Sequence, residues 1–320
     1  VVGGDSLLAR EIRELLGESK PAPRIELISA AADNSTLLKQ EDDEAIVMSP
    51  LSAESLEGSK VAFLAGSPAS SRRALKTNPA GGPLFIDLTG ALEDQPSARL
   101  RAPSAEAHRP EVSAIQVIAH PAAIALAKLL SILSGAGGIR RAMVHVFEPA
   151  SERGQRGLDE LQQQTVAALS FQKMKKDVYD AQVGFNMLAQ YGEEALEPLD
   201  SIEQRLERHL ASLLSAYPSI PMPSLRLIQA PVFHGHSFSM WVEFEENPGA
   251  EKISRAFEDA GIDVHPDEPP TNAGIAGQTG IAAGAIAVDA NQPRACWIWA
   301  VADNLKLAAE NAVAVAREAM

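Results

Sequence analysis

A chain of 320 residues with 46% hydrophobic content is long enough for two packed domains, and 22% charged residues against 5% aromatics suit aliphatic sheet–helix packing. The formal net charge of −14 argues against nucleic acid or an anionic membrane surface as partner, and no apolar run approaches the roughly 20 residues a membrane span requires. The single cysteine, Cys296, excludes an internal disulfide and fits a reducing cytoplasm.

Val1-Val2-Gly3-Gly4 reads as the end of a strand already inside a fold, so no signal peptide is expected and the chain start is expected to be trimmed. From Val1 to Ile12 the pattern is strand end, turn and helix start, an arrangement that aims backbone N–H groups and a positive helix end at a phosphate. An ordinary βα turn explains the same residues. Arg24–Ile28 and Ala45–Met48 are predicted strands. The apolar run Val61-Ala62-Phe63-Leu64 leads into a loop at Gly66, and Leu84–Leu88 is a further buried strand. Residues 93–111 are polar and proline-containing, hence a surface loop. Ala114–Ala119 is a strand closed by His120-Pro121, followed by a helix over 127–134, and Arg141–Glu148 opens a second sheet. A strand is predicted at 184–188 and an amphipathic helix at 201–210, with Ser201 as its cap. In Pro231–Phe244, period-two alternation places His234, His236 and Phe238 on one face of a strand. Such a pair is ordinarily a satisfied core or surface histidine. Cys296 lies in the apolar run 295–299 and reads as a small buried hydrophobe. Asp303 is a good cap for a last helix.

Pro231-Val232-Phe233-His234-Gly235-His236-Ser237 resembles the segment of aspartate-semialdehyde dehydrogenases that carries their general-base histidine, and on that match His236 is the base. Residues 147–161 and 299–309 resemble two further blocks of the same family, in order and with spacing kept. The resemblance covers essentially the whole chain. It implies an α/β protein with a Rossmann-type, doubly wound nucleotide-binding domain, residues 1–122 completed by the last helix, 303–320. An α/β dimerisation domain with a mixed sheet, residues 123–302, would form a two-fold dimer.

The departures from the family pattern decide the functional expectation. The cysteine nucleophile, which relatives place at a helix start after Ile-Ala-Asn-Pro-Asn, is Ala123, and the asparagine before the proline is His120. A methyl group forms no thioacyl intermediate. A phosphate-binding arginine position holds Glu93, and the substrate-carboxylate arginine position holds Gln229. A substrate-contacting glutamine has become Glu148, and a flexible glycine has become Glu152. Arg205 or Arg208 occupies the region of a family lysine. The dinucleotide loop reads Gly3-x-x-Ser6-x-x-Ala9 where relatives write three glycines. Gly66 and Asn304, the latter matching the family's nicotinamide contact, complete the implied cofactor positions.

These changes imply a catalytically inactive member, similar to the Usg-type paralogues. It would be cytoplasmic and homodimeric, pairing with an active paralogue in one version of this reading. It would have weakened affinity for NADP or NAD and no metal. The alternative is an enzyme of altered chemistry in which His120, Glu148 and His236 converge, since two imidazoles and a carboxylate bind zinc or move protons. A working dehydrogenase with an unrecognised nucleophile is the third reading, and no residue supplies one.

Overall fold

A computed structural model describes residues 1–31, 37–41, 44–78, 81–109 and 113–319. The chain divides into two compact units, Val1–Ala119 with Ala308–Met320, and His120–Leu307.

The first unit opens on Val2 and the helix α1 (Leu7–Gly17), then the antiparallel hairpin β1 (Leu37–Glu41) and β2 (Glu44–Met48). It continues through α2 (Ala53–Leu56), β3 (Val61–Leu64), α3 (Pro68–Thr77), β4 (Leu84–Asp87), β5 (Ala98–Arg101) and β6 (Ile115–Ile118). The sheet is parallel, in the order β3-β4-β6-β5. Single parallel bridges carry it outward, from Leu64 to Val2, to Ile28 and to Ser49. Phe63, Leu64, Phe85, Ile86, Ile115 and Val117 are buried, as expected of strands covered on both faces.

Two expectations change here. The strand expected at Arg24–Ile28 contracts to a bridge at Ile28, whose N–H and C=O bond Val1 and Gly3. The expected surface loop 93–111 contains β5, an edge strand whose Ala-Arg-Leu-Arg sequence hides its strand character: Arg99 is exposed, and Arg101 is buried by pairing with Glu106 and Glu318. Pro110 and Glu111 of that stretch lie outside the described residues.

The second unit runs α4 (Pro121–Gly137), β7 (Ile139–Glu148), a 3-10 turn (Ala150–Arg153), α5 (Gly154–Leu169), α6 (Leu199–Leu214), β8 (Ser224–Gln229) and β9 (His236–Phe244). It ends with α7 (Ala250–Asp259), β10 (Asp263–His265), α8 (Asn272–Ile275), β11 (Ala282–Val288), β12 (Ala295–Ala302) and the start of α9 (Asn304–Ala319). Its sheet is mixed, in the order β10-β11-β12-β9-β7-β8, with parallel pairs at the two ends and antiparallel pairs between. Val144, Phe238, Met240, Ile298 and Ala300 fill its buried face. The opposite face carries Met143, Trp241 and Trp297 side by side across three strands. Met143 and Trp297 are exposed.

Residues 184–188 form a turn rather than the expected strand, because Phe185 takes a φ of 68°, leaving only a bridge from Leu188 to Gln229. Helix α6 starts at Leu199, so Ser201 lies inside its first turn and Pro198 takes the cap position. His234 precedes β9. Gly235, at φ 82°, breaks the extended run, so His234 is half-buried and does not share the strand face of His236.

Candidate functional site

The second unit gathers the site at four element ends: the start of α4, the end of β7 with the turn after it, the start of β9, and the start of α9. Pro121 opens α4, and the preceding residue, His120, caps it. Its Nδ1 accepts from the Ala122 amide at 3.2 Å, and its own amide donates to His209 Nδ1 at 2.9 Å. Ala123 follows in the first turn and is buried. His236 is the first residue of β9, and its ring centroid lies 5.6 Å from that of His120 and 6.1 Å from that of Phe238. Thus His120, which caps the helix that holds Ala123, stands beside His236.

Glu148 ends β7 and is fully buried. Arg153, from the turn that follows, donates to Glu148 Oε1 at 3.3 Å and also bonds Glu197. Burial pushes the Glu148 carboxyl up to about 7; Arg153 opposes the shift and Glu152 adds to it. Burial pulls the Arg153 guanidinium down, but Glu148 and Glu197 outweigh this and hold it above its ordinary range. His120 is pushed well below the usual histidine value by burial, then by Arg205, His236 and His209. Burial lowers His236 too, with Glu152 and Asp303 offsetting part of the effect. Both imidazoles are therefore uncharged at neutral pH.

Glu152 reaches into the same space. Its carboxylate oxygens lie 4.0 Å from His120 Nε2 and 3.9 Å from His236 Nε2. Because the rings are neutral and the distances exceed hydrogen-bond length, these are contacts rather than ion pairs. Glu152 Oε1 accepts from Asn304 Nδ2 at 2.9 Å. Asn304 Oδ1 accepts from the Gly235 amide at 3.1 Å and from Ser151 Oγ at 3.0 Å. Asp303 caps α9 as expected, its Oδ1 accepting from the Leu305 and Lys306 amides at 2.9 Å each.

Gln229, at the end of β8, is buried and fully engaged. Its amide nitrogen donates to the carbonyls of Glu148 and Ala230, and Tyr191 donates to its Oε1 at 2.5 Å. It holds strand ends together and presents no cation. Arg205 is half-buried and acts electrostatically on His120 and Glu148, whereas Arg208 is exposed. Arg205 is therefore the charge of that helix directed at the site.

Cys296 lies in β12, buried, with its thiol pushed up by burial. Ala302 pairs with His236 and Cys296 with Val242, so the sulfur's residue sits roughly 20 Å along the ladder from the histidine at about 3.3 Å per residue.

The remaining expected positions belong to the first unit. Gly3 and Gly66 touch: a Cβ on Gly3 would meet Gly66 Cα at 2.3 Å, so both positions admit only glycine without a backbone shift. Ser6 caps α1, its side chain accepting from the Ala9 amide at 3.1 Å, and Ala9 is buried. Glu93 stands in the turn after β4, half-buried, where it adds to the burial that raises Asp87.

The resemblance implied that His120, Glu148 and His236 converge, and they do; Asn304 joins them. Arg153, Ser151, Tyr191, Glu197 and His209 were missed. Of these, Ser151 and Arg153 left a trace, lying inside the recognised block 147–161.

Residues 130–307 match the family described as semialdehyde dehydrogenase, dimerisation domain. The chain is 26% identical over 330 residues to an aspartate-semialdehyde dehydrogenase of Rickettsia bellii, covering 99% of this chain and 96% of the relative. It is 30% identical over 259 residues to a USG-1 protein homolog of Pseudomonas aeruginosa, covering 79% and 76%. Among solved structures it is similar to a probable aspartate-semialdehyde dehydrogenase from Pseudomonas aeruginosa, with TM-score 0.85, 26% identity, and 99% and 96% of the two chains covered. The fold also matches the aspartate semialdehyde dehydrogenase with NADP from Candida albicans, with TM-score 0.69, 15% identity, and 99% and 96% covered. Among the described residues, no helix is long and apolar enough to cross a membrane.

Proposed function

Since this chain belongs to the aspartate-semialdehyde dehydrogenase family, we propose that it is a member from which the thioester chemistry has been lost while the scaffold has been kept. Its role would be that of a dimeric, cytoplasmic binding or regulatory protein. The observation that carries this reading is Ala123 in the first turn of α4, beside the His120–His236 pair. A helix start is where a thiolate is stabilised, and here that place holds a methyl group. The cations suited to an acidic acyl phosphate are missing as well. Gln229 is spent on strand ends, Glu93 is acidic, and Glu148 and Glu152 would repel a dianion.

The family's nicotinamide cofactor supplies hydride transfer when bound, and this chain's residues fit it incompletely. The Gly3–Gly66 approach keeps a glycine loop at the start of α1, but the Ser6 side chain occupies the Ala9 amide. Asn304 spends its amide nitrogen on Glu152 and its oxygen on Gly235 and Ser151. Affinity for NADP or NAD is therefore weakened, and no step of chemistry is assigned to it.

The row Met143, Trp241 and Trp297 on the open sheet face supports a homodimer, or pairing with an active paralogue, through that face. Oxidation of aspartate semialdehyde in the presence of phosphate and NADP tests the reading. No steady-state turnover is expected, and turnover within the usual range of about 1–1000 per second overturns it. A second reading, altered chemistry by His120, Glu148 and His236, is favoured by one observation only, the convergence of those side chains.

A further inference from the structure

Loss of the thioester reaction gives His120, Glu148 and His236 no task, yet they are brought together. One ligand-capable atom from each lies within 4.8 Å of the other two, and all three residues are buried. His120 Nε2, His236 Nε2 and Glu148 Oε2 have no hydrogen-bond partner among the described residues. Buried polar atoms without partners are rare and carry a desolvation penalty, and three in one small volume point to something that satisfies them together.

We propose that these three side chains hold a single divalent transition-metal ion, with zinc the class best matched to two imidazoles and a carboxylate. Burial keeps both rings in the uncharged form that ligates. Arg153 holds Glu148 Oε1 at 3.3 Å, which fixes the carboxylate and leaves Oε2 as a one-oxygen ligand. Glu152, 4.0 Å and 3.9 Å from the two Nε2 atoms, stands where a fourth ligand is needed. With metal–ligand bonds of about 2.0–2.1 Å in a tetrahedron, ligand atoms on one ion are roughly 3.3 Å apart. Atoms within 4.8 Å of one another close on an ion with a contraction of up to ~1.5 Å. The charges around Glu148 are evenly matched, Glu152 and Glu197 against Arg153 and Arg205.

Binding has a specific consequence at His120. Its Nδ1 accepts from the Ala122 amide, so the proton of the metal-free ring is on Nε2. Coordination through Nε2 moves that proton to Nδ1 and releases the Ala122 amide, one of the first-turn N–H groups that helices leave unpaired in any case. The preferred reading of the sequence expects no metal, and zinc at these three residues enters there only with the alternative of altered chemistry; the unpartnered buried atoms are what the structure adds. The metal site shares its residues with the proposed loss of dehydrogenase activity but does not depend on it.

The test uses the 320-residue chain, stripped with a chelator and titrated with Zn²⁺ and with Co²⁺. One ion per chain is expected, with visible cobalt bands of four- or five-coordinate nitrogen and oxygen ligation, and zinc should raise the melting temperature. His236→Asn and Glu148→Gln should each abolish stoichiometric uptake with unchanged circular dichroism, while His234→Asn, on the half-buried neighbour, should not. Substoichiometric uptake by the unaltered chain, or uptake that survives both site variants, overturns the proposal. If either variant fails to fold, the zinc-dependent melting shift and the cobalt spectrum of the unaltered chain decide alone. An inactive chain that takes up no metal sinks only this proposal, and a metal-binding chain that oxidises the semialdehyde sinks only the other.

Discussion

Asn304 donates its side-chain N–H to Glu152 Oε1 at 2.9 Å, while its oxygen accepts from the Gly235 amide. The carboxylate thus lies between the asparagine and two buried imidazoles, in a position where the family resemblance implies glycine. On the proposed reading, Glu152 occupies space beside the His120–His236 pair that relatives leave open.

Removing that side chain should free the asparagine amide. A hydrogen bond to a charged group contributes about 1.5–3 kcal/mol, which corresponds to roughly 10- to 100-fold in affinity. Glu152→Gly is therefore expected to tighten NADP binding by about that factor in a calorimetric titration. Unchanged affinity would mean that the Glu152–Asn304 contact does not oppose the nucleotide.

On the proposed reading, a second brake on nucleotide binding is Ser6. Replacing an N-cap serine by glycine costs only a few tenths of a kcal/mol, whereas alanine costs about 1 kcal/mol. Ser6→Gly should release the Ala9 amide, tighten NADP binding and barely move the melting temperature. If Ser6→Gly binds no better than the unaltered chain, the cap is not what limits affinity.

Gln229 is assigned a structural task, and Tyr191→Phe probes it. The hydroxyl donates to Gln229 Oε1 at 2.5 Å in a buried setting, and leaving a buried acceptor short of its donor costs about 1–3 kcal/mol. Urea unfolding should show a loss of that size with NADP affinity unaltered. A loss within about 0.5 kcal/mol, as at an ordinary surface position, would speak against the role.

In the metal-free protein, Glu148 should leave a signature in stability against pH. Burial raises its carboxyl from 4.5 to about 7, so the native state holds the proton more tightly than the unfolded chain. Its contribution is fully present below about 4.5 and is lost as pH rises through 7. Glu148→Gln carries no such titration, so its stability relative to the unaltered chain should climb between pH 4.5 and 7 and level off above. His120 and His236, both lowered, act in the opposite sense, with a contribution present above 6.5 and lost as pH falls. They remain in both proteins and cancel in the difference. A flat difference across this window would show that Glu148 does not titrate there.

The legible parts of the fold were those where one residue pattern had one reading. Strands β3, β4 and β6 are apolar on both faces, and His236, Ala123 and Glu148 sit in blocks whose spacing was intact. Strand β5 escaped because the burial of Arg101 depends on Glu106 and Glu318, and residues 184–188 misled because a strand-like composition says nothing of the left-handed turn at Phe185. Arg153 carried no reading of its own in the sequence; its burial goes with its pairing to Glu148 and Glu197, the latter brought from a segment far along the chain. Arg205 and His209 reach His120 from a helix almost ninety residues away in sequence. No local pattern encodes such a meeting.

Loss of the nucleophile is tested most directly by a single-turnover experiment. Protein in excess over NADP is mixed rapidly with aspartate semialdehyde, with and without phosphate, and absorbance of the reduced nucleotide is followed from the first milliseconds. With a methyl group at position 123 and Cys296 buried in β12, no burst of reduced nucleotide should form under either condition. A burst approaching one equivalent of the NADP supplied would mean that some side chain still attacks the aldehyde, and the proposed loss of chemistry would be wrong.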